Sequence, residues 1–460
     1  MRIEKEYKKT GYFWLPEQED TKIPGVLSIV DGGDAELEII GHFNGTKSLN
    51  DDENFNRIIG FVEDDGLITL DNCFYTLKNV SFGGISKSKI LVNKVLCGAK
   101  WDKDEPITFN TFSFSIDCLD EWVGISGIAV DSDHTGRTTT ITYTPPEKIS
   151  FLLNNGMTLE VCFAYTLPGF PNLKEAKITQ AAYFRLESKE LCELNDFISI
   201  ASKITTLVCF AMDEIVSIKN VSATSSEIQS NINDNRKYSP SIKIYYPSTT
   251  YVEKVPNKNW HKMIFTFGVI QENAQDVFNK WLDAYEYLSP AMNLYFSTKI
   301  NAQKYLDGKF LALVQGLETY HRRTNKDTLM DPDLFQQIVT DIIKECPEEH
   351  IPWLEGRLMH GNELNLGKRL KSIIEPFKEI FGNSKERSKL LRNIVNTRNY
   401  LTHYSESLED DAVNGVDLWN ICEKIEVIFN LNFLQVIGFT DEEIKSVLQN
   451  CYPLKQKLEN

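Results

Sequence analysis

The apolar residues change their period between residues 265 and 300, and this change limits the fold more than any other feature. Upstream, short runs alternate or are rich in β-branched residues, as in AELEII at 35–40, TTTITY at 138–143 and SIKIYY at 241–246. Turn clusters such as Asp31-Gly32-Gly33-Asp34 and Asn154-Asn155-Gly156 separate them. Successive side chains of a strand face opposite ways, so a period of two suits a half-buried sheet. Many short strands with regular turns predict a large antiparallel sandwich or barrel-like region. Within it, Leu191, Leu194, Phe197, Ile198, Ile200 and Ala201 predict one helix over 189–213, and the Ser- and Asn-rich stretch 221–240 reads as a mobile loop.

Downstream of residue 270 the period becomes helical. Stripes recur at Val277/Trp281/Tyr285, Phe310/Leu313/Leu317, Leu334/Ile338/Ile342, Leu370/Ile374/Phe377, Leu390/Ile394/Val395 and Ile421/Ile425/Ile428. Five or six amphipathic helices predict a bundle. The fold class is therefore α+β and multidomain, with a β-rich domain over 1–270 and an all-α domain over 271–460.

Composition narrows the function. The first residues, MRIEKEYKK, have no apolar core of a signal peptide, and no uninterrupted apolar run approaches the roughly 18 residues of a membrane helix. Nine scattered cysteines without a Cys-x-x-Cys pair argue against a disulfide framework and for a cytoplasmic chain. The seven histidines show no metal-ligand spacing, so no metal and no cofactor is expected. A net charge of −16 opposes indiscriminate nucleic-acid binding. The cations gather locally, however: Lys385, Arg387, Lys389, Arg392 and Arg398 face a single acid, Glu386, and Lys368, Arg369 and Lys371 lie just upstream.

That basic stretch ends in Arg398-Asn399-Tyr400-Leu401-Thr402-His403. Histidine can move a proton near neutral pH, and arginine holds phosphate with a planar, permanently charged fork. With 12 Arg and 7 His in the chain, chance supplies about 0.2 Arg-x4-His matches, and roughly one in seventy once asparagine must follow the arginine. On an ideal helix five positions turn through roughly 500°, which leaves Arg398 and His403 about 140° apart. Either the helix distorts near Thr402, or the site combines residues from two chains related by a two-fold axis.

Arg398-Asn399-x-x-x-His403 near the end of a helical domain resembles the signature of HEPN-domain ribonucleases. The opening Gly11-Tyr12-Phe13-Trp14-Leu15-Pro16, Gly25-Val26-Leu27, and later Phe112-Ser113-Phe114-Ser115 and Leu119-Asp120-Glu121-Trp122 resemble the N-terminal domain of ApeA-type anti-phage proteins. FLALVQGLETYHR at 310–322 is similar to the first long helix of the matching HEPN domain.

The resemblance implies a metal-independent endoribonuclease, dimeric or of higher order through its HEPN domains, in abortive defence against phage. In that reading His403 transfers protons, Arg398 stabilises phosphoryl charge, and Asn399 orients His403 or holds an oxygen. Supporting or RNA-binding roles fall to Glu318 (a partner for Arg398), His321, Arg322, Arg392 and Tyr400, and the β-rich half would sense a phage-derived trigger. The alternative is a non-catalytic HEPN scaffold that binds RNA or protein. A carbohydrate-active site built on acids such as Asp120 and Glu121 is a further rival, but no spacing singles out a carboxylate pair.

Overall fold

The computed structural model describes residues 1–43, 54–81, 83–133, 135–170, 173–233, 236–300 and 304–459. A β-rich N-terminal region is followed by a helical C-terminal region. The two compact units divide between Leu282 and Asp283.

Six strands open the chain: β1 (Tyr7–Trp14), β2 (Ile23–Ile29), β3 (Ala35–Ile40), β4 (Asn54–Val62), β5 (Gly66–Asn79) and β6 (Lys87–Cys97). They pair in the order β6-β3-β2-β1-β4-β5, and β5 pairs back onto β6, so the six strands close a barrel. Closure satisfies backbone groups that an open sheet would leave at its edges. Alternation does the rest. In β3, Ala35, Leu37 and Ile39 point inward, and with Phe13, Leu27, Ile58, Ile68 and Ile90 they fill the barrel.

Past Val92, where β3 ends, the last residues of β6 stay paired with β5 on one side and take β16 (Ile242–Tyr245) on the other. From there an open sheet runs through β13 (Ile218–Thr224), β7 (Thr108–Ile116), β12 (Thr179–Glu193) and β11 (Thr158–Thr166) to β10 (Ile149–Leu152). β8 (Ile128–Ser132) with β9 (Thr139–Tyr143), and β14 (Ser230–Asn233) with β15 (Arg236–Tyr238), are separate hairpins. The barrel-like expectation holds, with an open extension added. The loop expected over 221–240 does not: it contains the end of β13 and the β14–β15 strands, and residues 234 and 235 lie outside the described residues. Polar composition hid these strands because it carries no apolar alternation, while the pairing itself is between residues of the two strands, as in Ser230 with Tyr238 and Asn231 with Lys237.

Two short helices, α1 (Leu119–Val123) and α3 (Phe267–Ile270), flank α2 (Leu194–Met212), the helix expected within the β-rich half. By length and mean composition α2 could cross a membrane, although Asn195, Asp196 and Lys203 interrupt its apolar run, in line with the expectation that no uninterrupted run is long enough. Here 67% of its apolar window is buried, with Phe197 stacked on Phe112 of β7 at 5.8 Å. An all-round apolar helix of this kind suits a core as well as a bilayer. Asp120 of α1 accepts from the Ala182 N–H of β12 at 2.6 Å, so this carboxylate fastens α1 to the sheet.

Close approach within the barrel depends on glycine. Gly11 pairs with Gly25 across β1–β2, and a Cβ on Gly11 would stand 2.4 Å from the Phe61 carbonyl oxygen. Backbone cannot rotate aside as a side chain can. Gly11→Ala is therefore expected to cost about 1–3 kcal/mol through overpacking, read as a lower urea midpoint for the β-rich unit.

The second unit continues α4 (Ala274–Lys299) into α5 (Leu306–Thr324), α6 (Pro332–Lys344), α7 (Ile351–Leu358), α8 (Leu366–Ile374), α9 (Ser384–His403), α10 (Gly415–Val436), α11 (Asp441–Asn450) and α12 (Tyr452–Glu459). The stripes foretold six of these. The extra ones, α7, α11 and α12, span 8 to 10 residues; the 9-residue α8 was legible because its stripe runs on to Phe377 in the turn that follows it. α5 packs against α8, α9 and α10, and Gly316 lets α5 approach α10 so closely that a Cβ there would lie 2.8 Å from the Phe429 ring. α6 differs from the rest. Its amphipathic stripe formed a helix as expected, capped by Asp331, yet Leu334, Ile338 and Ile342 remain 51%, 38% and 44% exposed.

Candidate active site

α9 carries the hexad, and its start is strongly specified. Asn383 accepts from the N–H groups of Lys385 and Glu386, while the Glu386 carboxylate accepts from Asn383 N at 2.7 Å. This reciprocal pair satisfies amides that a helix start otherwise leaves unbonded. The buried side chains of α9 are Ile394, Thr397 and Leu401, spaced three and four apart. That stripe fixes where everything else points. Arg398 falls roughly 60° from it, while Asn399, His403 and Arg392 fall roughly 150° or more away, on the outer crest.

The observed burial agrees. His403 and Arg392 are exposed, and among the described residues neither has a protein partner. Arg398 is half-buried and donates to Asn399 Oδ1 at 3.3 Å. The Thr402 hydroxyl donates back to the Arg398 carbonyl at 2.7 Å, but α9 runs unbroken through His403. It stops at Tyr404, which has φ 49 and whose N–H donates to the Tyr400 carbonyl at 2.6 Å. No distortion at Thr402 brings Arg398 and His403 together within one chain.

Behind Arg398 lies a charged network. Glu318 of α5 approaches the Arg398 guanidinium at 3.8 Å and that of Arg322 at 3.2 Å. Arg322 also binds Glu363, which in turn holds Arg369 of α8 at 2.9 Å and His360 at 2.7 Å. Three guanidinium groups thus face two carboxylates, an excess of one positive charge (3 − 2 = +1) next to the hexad. Such an excess suits one phosphate, which arginine forks grip in bidentate fashion. Partial burial would raise the Glu363 carboxyl, but Arg322 and His360 outweigh it and hold the group below its ordinary range.

Two residues with assigned supporting roles sit differently from the expectation. The supporting or RNA-binding role expected of His321 needs a side chain open to solvent. The side chain is instead turned into the bundle at 2% exposure, its Nδ1 3.4 Å from Arg369 Nη1 and its Nε2 without a partner. Its spacing from Glu318 placed it near the site, but the packing of α8 on α5 covers it. Tyr400 is half-buried, its ring 5.4 Å from Tyr404 in an edge-on arrangement, so its face is partly taken by a neighbour. Its phenol titrates above its ordinary range through desolvation and, after that, through Glu409.

Glu363, His360 and Arg369 were not singled out from the sequence as site residues. Arg369 was visible only as part of a basic run. The contact between Arg322 and Glu363 joins residues 41 apart, beyond any local pattern.

His321 gives the region a pH dependence. Burial, and then Arg369, push its pKa below the ordinary histidine value. The unfolded chain takes up a proton below about pH 6.5, and the folded chain resists it. Stability is therefore expected to fall as pH drops below that point. Glu363, with its depressed pKa, adds a further loss at lower pH. The thermal midpoint of the helical unit should decline between pH 7 and 5.5, and His321→Leu should flatten that decline; identical slopes would contradict the assignment.

Residues 8–281 match the family model described as ApeA N-terminal domain 1, and residues 311–443 match the one described as Apea-like HEPN. No curated protein and no solved structure matches the chain.

Proposed function

Because this chain belongs to the ApeA-type anti-phage HEPN family, we propose that it is a metal-independent endoribonuclease that cuts cellular RNA, tRNA among the candidates, during abortive infection. The observation that carries the reading is the hexad's setting. His403 stands open on the crest of α9, and Arg398 is braced at its flank by Glu318.

In this reading the RNA's own 2′-hydroxyl attacks the adjacent phosphorus. His403 takes the hydroxyl proton as it attacks. Arg398 neutralises the charge that develops on the non-bridging oxygens. Asn399, on the same crest as His403 and bonded to Arg398, links the two groups. His403, protonated by that transfer, returns the proton to the departing 5′-oxygen, and the products are a 2′,3′-cyclic phosphate and a 5′-hydroxyl. DNA lacks the nucleophile. The crest position of Arg392 suits it to a flanking phosphate.

A homodimer through the helical unit completes the site. Arg398 and His403 of one chain diverge around α9, and a two-fold axis along this helix brings the histidine of one copy to the arginine of the other. The uncovered apolar stripe of α6 also suits a contact between copies. The β-rich unit over 1–270 is assigned the sensing of a phage-derived trigger, with the helical unit over 271–460 as effector in the cytoplasm.

The test is expression of wild type and His403→Ala in a bacterium, followed by sequencing of RNA 5′-hydroxyl ends. New ends in wild type alone support the reading. Equal end profiles would leave the non-catalytic scaffold, and cleavage that vanishes with EDTA would remove the metal-independent mechanism.

A further inference from the structure

On the flank of α9 away from Arg398 lies a cleft of 660 Å³, walled by α9, α10, the turn at 380–382 and α12. A volume of this size lies within the roughly 300–1,000 Å³ of small-ligand sites. Its walls divide into two kinds. Phe381, Leu390 and Ile421 provide an apolar surface with one aromatic ring. Lys389, Asn393, Asp417, Asn420 and Lys424 provide two cations, two amides and one carboxylate. Among the described residues, none of these five side chains has a hydrogen bond or ion pair to protein. The neighbouring Glu386, by contrast, is spent on the Asn383 amide. Polar groups of both signs converge here around an apolar wall, and none of them is bonded to another protein group among the described residues.

We propose that this cleft binds a nucleotide. The two ammonium groups suit a phosphate. The apolar wall suits a base, since every base offers a π-face to an aromatic or aliphatic surface. The Asn393 and Asn420 amides each offer a donor and an acceptor, the pattern that reads a base edge. Asp417 accepts from ribose hydroxyls. The cleft also touches the hexad's support. Val413 lines it, and the Val413 N–H donates at 3.0 Å to Oγ1 of Thr397, the buried residue just before Arg398. A bound nucleotide therefore presses on the segment that follows the hexad.

The nucleotide is a free one or one unit of a single-stranded RNA; the chemistry is shared. The second source rests on the ribonuclease reading, and the first does not.

The full-length chain with His403→Ala, which keeps RNA intact, is titrated by calorimetry with each of the four nucleoside monophosphates, with ATP, and with an eight-residue single-stranded RNA. The same titrations use Lys389→Glu/Lys424→Glu and, to leave charge untouched, Asn420→Leu. At least tenfold weaker binding in both variants is expected. Binding of a mononucleotide identifies a free ligand, and binding of the RNA alone identifies a strand unit. If no probe binds, or if binding is equal in all three proteins, the proposal is overturned. A chain that binds here but does not cut RNA would leave the cleft standing and remove only the ribonuclease reading.

Discussion

Replacing His403 with alanine is expected to lower RNA cleavage by about 10²- to 10⁴-fold, the range for loss of a positioned acid–base group. The fold should not change. His403 is exposed at the last position of α9 and its side chain has no hydrogen bond or ion pair to protein among the described residues, and surface changes of this kind usually stay within about 0.5 kcal/mol. Loss of activity with an unchanged thermal midpoint therefore separates chemistry from stability. Arg398→Ala should be comparably inactive.

The pair of variants then tests the composite site. If each site takes its arginine from one chain and its histidine from the other, co-expression of Arg398→Ala with His403→Ala restores activity. Random pairing makes half of the dimers mixed, and each mixed dimer has one intact site of two, so about a quarter of wild-type activity returns. Sites contained within single chains would give none, and that result would remove the dimer-axis arrangement.

The second large effect concerns stability. Glu426 of α10 is 2% exposed and is surrounded by Lys299 at 2.6 Å, Lys309 at 2.7 Å and Lys457 at 2.7 Å. These lysines come from α4, the start of α5 and α12. One carboxylate thus fastens three other elements to the central helix. The neighbouring Glu423 does not share the load equally, since burial, and then Glu426, raise its pKa. Removing one member of a buried ionic cluster costs about 3–5 kcal/mol, because charges remain without compensation. The lysines here retain some solvent, which favours the lower end. Glu426→Gln is expected to lower the thermal midpoint of the helical unit by about 6–12 °C, at about 2–4 °C per kcal/mol for a unit of this size. A shift below 2 °C would mean that the lysines relax to water. Glu423→Gln should have much the smaller effect.

The change of period near residue 270 was enough to read a β-rich region followed by a helical one, because alternation and helical spacing are local consequences of where side chains point. The position of the hexad at the end of a basic helix was legible for the same reason. Even the divergence of Arg398 and His403 follows from helix geometry alone.

Other features were decided only by tertiary contacts. Whether the strands would form a sandwich or a barrel depended on the pairing of β5 with β6, which no local pattern encodes. The spacing that put His321 beside the site could not show that α8 would cover it. Glu363 became the centre of the arginine network only when residues 322, 363 and 369 met. The sequence determined which residues bear the chemistry and on which face of α9 each stands. The tertiary structure decided their company: Glu318 behind Arg398, open solvent before His403, and a polar cleft on the flank of α9 away from Arg398. Local geometry is set by bonds between near neighbours, whereas charge and burial depend on whatever the rest of the chain brings alongside.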